Sequence, residues 1–272
     1  MKQIIYATDF STNSEVAFEW AAMLAGRSKA TLNLLHAYHF QVSENPSPEK
    51  LGEMEAKFQN LLKHLNEKKG GKGIPEIKTW LLSDFAADAI FHLSKTLPAE
   101  MVLMGTKGTG NIEGFLIGSI TTKVILESHI PVWVIPREVE FFVPETFIFA
   151  SNLDENHLQI FKKISALATD FHANVEVVHI QTPAEIFNQE KLDHFEAELR
   201  ALAGNDQFRL HLFQSTTVED GLAEFCKSKT NAVVCMVHKK KNFLASLFER
   251  SHSKKMALHS HFPLIVYPAN PS

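Results

Sequence analysis

The sequence predicts an α/β protein of two tandem doubly wound domains, each a mostly parallel five-stranded sheet flanked by about four helices. Three observations carry this expectation. Short apolar runs alternate with amphipathic stretches along the whole chain. The apolar runs lack a polar face, as strands covered on both sides do. And the chain repeats itself. At an offset of 143 residues IIYATDF (Ile4 to Phe10) falls on FIFASNL (Phe147 to Leu153), and LNLLHA (Leu32 to Ala37) on VEVVHI (Val175 to Ile180). Later the offset is 132: MVLMG (Met101 to Gly105) falls on VVCMV (Val233 to Val237), and HIPVWVIP (His129 to Pro136) on HFPLIVYP (His261 to Pro268). The drop from 143 to 132 leaves the second copy eleven residues shorter in its middle. The copies divide the chain into residues 1–139 and 140–272, joined near REVEFFVPE (Arg137 to Glu145).

Within the first copy IIYAT reads as a strand ended by the DFSTNS turn. SEVAFEWAAMLAGRS follows as a helix with apolar residues at helical spacing, and Thr12 with Glu15 suggests a capping box. LNLLHAY is the second strand. A turn-rich loop (His39 to Lys50) leads into a helix over Pro48 to Lys69. IKTWLLS, DFAADAIFHLSKTL, MVLMG, SITTKVILESH and VWVI then alternate strand and helix to the end of the copy. Right-handed crossovers place the ligand edge of such a sheet beyond the carboxyl ends of its strands, at the switch point.

Composition narrows the partners. The chain has 272 residues, 45% of them apolar and 21% charged, which suits two soluble globular domains. A net charge of −4 gives no bulk attraction for nucleic acid or an acidic membrane. The only cysteines, Cys226 and Cys235, lie in apolar surroundings and exclude a disulfide framework. MKQIIYATDF reaches Asp9 too soon for a signal peptide, and no run approaches the roughly 20 apolar residues of a membrane span. A cytoplasmic soluble protein is the expectation.

The chemistry centres on GTKGTGNIEGFLIGS (Gly105 to Ser119), a glycine-rich stretch between a strand and a helix. Glycine permits positive φ and close approach of a ligand to the backbone, and successive N–H groups in such a turn form an anion nest. Gly118 and Ser119 open the next helix, where unpaired N–H groups and the helix dipole favour a phosphate. Ser119 reads either as N-cap or as a phosphate contact. The stretch is not a P-loop, because no Gly-Lys-Ser/Thr ends it. Ala7, Thr8 and Asp9 after strand one and Ala37 after strand two reach the same edge. Lys107 sits within phosphate reach, or equally as an exposed loop lysine.

Gly105-x2-Gly108-x9-Gly118-Ser119, followed by a helix and IPVWVIP, resembles the nucleotide-binding signature of the universal stress protein family. IIYATDFS and LLHA resemble that family's other two binding segments, and the resemblance covers both halves. It implies ATP lying across the strand ends. Asp9 and Ala37 would hold the adenosine end. Gly105, Gly108, Gly118 and Ser119 would hold the phosphates, with Mg2+ or Mn2+ bound through them. Ala7 departs from the usual proline, and Ser83 stands where glycine is common. In the second copy Val237, Lys240 and Arg250 replace Gly105, Gly108 and Gly118, Asn152 replaces Asp9, and only Ser251 keeps its counterpart. Side chains there would fill the phosphate space, so that copy is expected to be degenerate and structural. The two halves are expected to pair as a pseudo-dimer through their fifth strands, a route that also allows a homodimer. No residue pair forms a nucleophile and base, and no catalytic or metal-ligating residue is predicted. His252, His259 and His261 lack a cysteine or carboxylate at ligand spacing, and Lys239 to Lys241 read as a solvated basic loop. A slow ATPase and a nucleotide-free interaction module remain open beside the binding protein.

Overall fold

A computed structural model describes residues 2–39, 47–69, 73–106, 117–203, 208–238 and 262–269. The first half runs β1 (Gln3–Ala7), α1 (Thr12–Arg27), β2 (Thr31–Tyr38), α2 (Pro48–Lys69), β3 (Ile77–Ser83), α3 (Ala86–Thr96), β4 (Ala99–Gly105), α4 (Ser119–Glu127) and β5 (Val132–Ile135). The second runs β6 (Thr146–Ala150), α5 (Asn156–Phe171), β7 (Asn174–Gln181), α6 (Gln189–Ala203), β8 (Phe208–Gln214), α7 (Val218–Cys226), β9 (Ala232–His238) and β10 (Leu264–Pro268). The eleven-residue deficit falls between β7 and β8, where α6 has 15 residues against the 22 of α2.

The strand order is β3-β2-β1-β4-β5-β10-β9-β6-β7-β8, one ten-stranded sheet. Each half is parallel and doubly wound, with the switch point between β1 and β4 or between β6 and β9. The halves join where β5 and β10 pair antiparallel, Trp133 opposite Ile265. Residues 136–145 carry the chain from β5 to β6 without helix or strand, and Phe142 there packs edge-on against Trp20.

Alternation along the strands splits the interior into two cores, one on each face of the sheet. Tyr6, Leu103, Trp133, Phe147 and Ile265 face α1, α2, α5 and α6. Ile5, Val102, Val134, Ile148 and Val266 face α3, α4 and α7. Each core therefore runs unbroken across the β5–β10 seam. Beside the seam, Ser28 Oγ donates to Asp170 Oδ2 at 2.9 Å and the Arg27 guanidinium lies 5.5 Å from the Phe171 ring centroid. These contacts tie the C-terminal ends of α1 and α5 together.

The repeat extends to the backbone. Phe10 (φ 59°) and Leu153 (φ 60°) occupy the same corner of the two copies, and Lys29 (φ 51°) and His172 (φ 54°) another, all left-handed. Such conformations are costly for residues with a Cβ, so their recurrence at the 143-residue offset marks corners that the fold imposes. The capping box expected of Thr12 and Glu15 is not formed, and α1 is capped by a single side-chain bond. Ser11, not Thr12, caps α1, its Oγ accepting from Ser14 N–H at 3.3 Å.

One glycine is set by packing. A Cβ on Gly221 in α7 would lie 2.5 Å from Ile180 Cγ2 and 2.8 Å from Ser215 Cβ, whereas the corresponding residue of α3 is the buried Ala89. Gly221→Ala is expected to lower stability by about 2 kcal/mol, although alanine gains about 1 kcal/mol over glycine in helix propensity. Urea unfolding measures the difference; a more stable variant would show that Ile180 and Ser215 yield without cost.

Candidate functional site

The corner after β1 is built by short side chains bonding back to the main chain. Thr8 is buried, its N–H on the Leu35 carbonyl at 2.9 Å and its hydroxyl 3.0 Å from Ser14 Oγ. Phe10 N–H donates to Thr8 Oγ1 at 3.0 Å, and Ser11 N–H to Asp9 Oδ1 at 3.1 Å. The Tyr6 hydroxyl donates to the Ser14 carbonyl. Such side-chain turns substitute for a backbone turn. They hold Phe10 left-handed, its ring 4.5 Å from that of His36. His36 Nδ1 stands 2.8 Å from the Thr8 carbonyl oxygen, so it carries the proton. Burial, only partly offset by that bond, keeps the ring's pKa below its ordinary value. His36 is thereby a neutral strut.

Three strand ends open onto one cavity of ≈ 100 Å³. Ala7, Thr8 and Asp9 come from β1 and its corner, Ala37 from β2, and Gly105 from the end of β4. Five of the residues singled out in the sequence thus meet in one place. Gly118 and Ser119 lie beside it, while Ile120 and Thr121 from the same turn line it. Lys107 and Gly108 fall outside the described residues. The walls missed by sequence reasoning are Ala86 and Ile90 of α3, with Ser14, Leu35 and Met104. Ala86 and Ile90 are four apart on α3, one helical face, and α3 crosses from β3 back to β4 over the switch point.

Two expectations for the glycines need correction. Gly118 has φ −70° and ψ 157°, extended backbone open to any residue, and among the described glycines only Gly73 has positive φ. Positive φ is therefore not what glycine supplies at positions 105 and 118. Nor is the Gly118 N–H available to a ligand, since it donates to the Thr106 carbonyl at 2.7 Å. Gly118 itself is the N-cap of α4, with no side-chain cap bond, and Ser119 is the first helical residue. The helix supplies no acceptor to its first-turn N–H groups, those of Ser119, Ile120 and Thr121. Thr121 Oγ1 donates to the Gly105 carbonyl at 3.1 Å and clamps this turn to the end of β4.

The second copy keeps the corner but changes its chemistry. Ser151 replaces Thr8, with its N–H on the Val178 carbonyl at 2.9 Å and Leu153 N–H on its hydroxyl at 3.1 Å. His157 replaces Ser14, its Nδ1 3.0 Å from Ser151 Oγ, and His179 repeats His36, with Nδ1 2.9 Å from the Ser151 carbonyl oxygen. Lys191 of α6 reaches over this loop, its Nζ 3.1 Å from the Asn152 carbonyl oxygen and 3.2 Å from Asp154 Oδ1. Val237, in the place of Gly105, is buried. Lys240, Arg250 and Ser251 fall outside the described residues.

Among the described residues no group of three or more His, Cys, Asp or Glu is placed to hold a metal ion, and no helix is long and apolar enough to cross a membrane.

A doubly wound sheet with a small-residue cleft at its switch point is the α/β architecture in which ligands, where present, sit at that edge. The family model described as "Universal stress protein family" matches residues 1–136, half of the sequence, and the chain belongs to that family. A universal stress protein of Thermus aquaticus is 29% identical over 140 residues, spanning 49% of this chain and 98% of that one. One from Methanocaldococcus jannaschii is 26% identical over 160 residues, 50% of this chain and 96% of its own. A solved universal stress protein from Archaeoglobus fulgidus superimposes over 98% of this chain and 96% of that one, with a TM-score of 0.71 at 15% identity. At that identity it shows the fold alone.

Proposed function

We propose that the first half, residues 1–139, binds ATP with Mg2+ or Mn2+, and that the second, residues 140–272, is a degenerate partner domain that does not. The observation that carries this reading is the meeting of Ala7 to Asp9, Ala37 and Gly105 on one cleft beside the uncapped start of α4. Ala37, Ile90 and Ile120 give the cleft an apolar lining that suits the base, and at ≈ 100 Å³ it would receive only part of the nucleoside. The phosphates would extend along the open edge toward Gly118 and Ser119, where first-turn N–H groups and the helix dipole favour negative charge. The divalent ion would then be held through phosphate oxygens. Lys107 and Gly108 belong to the same proposal.

Asp9 is the only ionisable residue among the described ones lining the cleft, and its carboxylate already closes a turn. Among the described residues no second ionisable group lines the cleft beside Asp9, and binding with little turnover is the reading preferred to hydrolysis. Antiparallel pairing of β5 with β10 supports reading the chain as a pseudo-dimer of its own halves, with cytoplasmic stress response or signalling as the role. Calorimetric titration with ATP and Mg2+ is expected to give one site per chain, and freshly purified protein an excess of ultraviolet absorbance from bound adenine. Absence of both would leave an interaction module as the reading. Phosphate release lost on Asp9→Ala would instead favour an ATPase.

A further inference from the structure

A second cavity, of ≈ 430 Å³, lies at the opposite ends of the strands, under α5 and against the seam between the halves. Its walls are Ile4, Leu24, Met101, Ile130, Leu167 and Tyr267. All six are buried. The volume is in the range of small-molecule sites.

The repeat shows how this space arose. The two halves are related by a pseudo-two-fold axis at the β5–β10 pair, so an equivalent space is expected on its other side, with residues exchanged at the two offsets. There Phe147 stands for Ile4, Phe171 for Ser28 and Trp20 for Lys163. Those three rings are buried and form one aromatic cluster with Trp133: Trp20 at 5.8 Å, Phe147 at 6.3 Å and Phe171 at 6.2 Å between ring centroids. Divergence has filled one side of the axis with aromatic rings and left the other hollow.

Charge defines the occupant. The mouth carries Lys2, Lys163, Glu100 and Asp170, two charges of each sign, and Lys2 Nζ is 3.8 Å from Glu100 Oε2 and 3.8 Å from Asp170 Oδ2. Ser28 Oγ also donates to Asp170 Oδ2 at 2.9 Å. Burying an ion against apolar walls without a dedicated partner is costly. Burial also holds the Tyr267 phenol well above its ordinary pKa, so this wall group stays neutral.

We infer that the seam cavity is a binding site for a small, uncharged, apolar molecule. It is separate from the cleft at the carboxyl ends of the strands, and no step of the nucleotide proposal depends on it. Titrating the full chain with N-phenyl-1-naphthylamine, a neutral fluorescent probe, is expected to give an enhanced signal that saturates at one probe per chain. The anionic analogue 1-anilinonaphthalene-8-sulfonate is expected to bind at least about tenfold more weakly. Ile4→Phe, which installs the ring found across the axis, and Ala166→Trp, at the exposed mouth, are each expected to weaken the neutral probe about tenfold or more. Ala166 is exposed, so its substitution tests the site even where Ile4→Phe disturbs folding. A signal that does not saturate at one probe, or saturable binding that Ala166→Trp leaves unchanged, would overturn the inference.

Discussion

Replacing Gly118 with glutamate is expected to weaken ATP binding at least about 100-fold, equivalent to ~2.7 kcal/mol, with the fold intact. The backbone at Gly118 is extended, so a side chain is accommodated without conformational strain. Losing glycine from the N-cap costs at most about 1 kcal/mol. The effect on the ligand is larger, because the new carboxylate would share the start of α4 with the phosphates. Two unit charges about 5 Å apart interact by roughly 3 kcal/mol at an effective dielectric constant near 20. Gly118→Arg separates volume from charge. Arginine is the residue that the second copy carries at this place; if its bulk excludes the phosphates, it too will weaken binding despite its favourable charge. Calorimetry with ATP and Mg2+ reads the affinity, and thermal unfolding without nucleotide checks the fold. Wild-type affinity in Gly118→Glu would place the phosphates elsewhere and remove α4 from the site.

That the cleft was legible at all follows from its being lined by absent or small side chains. Ala7, Ala37 and Gly105 are small residues at strand ends that line the cleft, and such positions stand out in apolar runs. The bounds of α2 and β5 were equally open to reading, since a strand buried on both faces writes a continuous apolar segment and an exposed helix writes a helical period. Other features were hidden because they depend on partners distant in the chain. Nothing local tells Ser11 from Thr12 as the cap of α1, as each is a good capping residue; the corner set by Thr8 and Asp9 decides it. The extended backbone of Gly118 could not be read, because glycine permits both signs of φ. Ala86 and Ile90 look like ordinary core positions of α3 until the crossover places them over the switch point. The single ten-stranded sheet was only half visible: an apolar fifth strand predicts pairing, but its hydrogen-bonded register with β10 is a property of both halves together. The seam cavity was the least legible, since it arises from a difference between copies at positions that touch only after the halves meet.

Acidification between about pH 6.5 and pH 4 is expected to cost the protein stability through His157. This ring, at the place of Ser14 in the first copy, is only 3% exposed, and its pKa is lowered to about 4, by burial first and by the charge of Lys191 second. Ser151 Oγ accepts from Leu153 N–H and has its own proton to give to His157 Nδ1. Protonating Nδ1 would reverse that bond, and Nε2, buried and without a hydrogen-bond partner among the described residues, offers no compensation. The sign follows from the direction of the shift. Between the two pKa values the unfolded chain takes up the proton and the folded chain does not, so stability is full above the unfolded value and falls as the pH drops. Below about pH 4 both states are protonated and this group costs nothing further. The whole effect is roughly 3 kcal/mol, a large part of the stability of an ordinary domain. Burial lowers the pKa of His36, His211 and His238 as well, so wild-type acid sensitivity alone does not isolate His157. The difference from His157→Ser does, because the other three rings are common to both proteins, and serine is the residue that the first copy accommodates beside Thr8 at 3.0 Å. Urea unfolding across this pH range is expected to show the wild type losing roughly 3 kcal/mol more than the variant. Parallel curves would mean that the ring already reaches water or a partner when charged, and that the second corner tolerates an imidazolium where the first holds a hydroxyl.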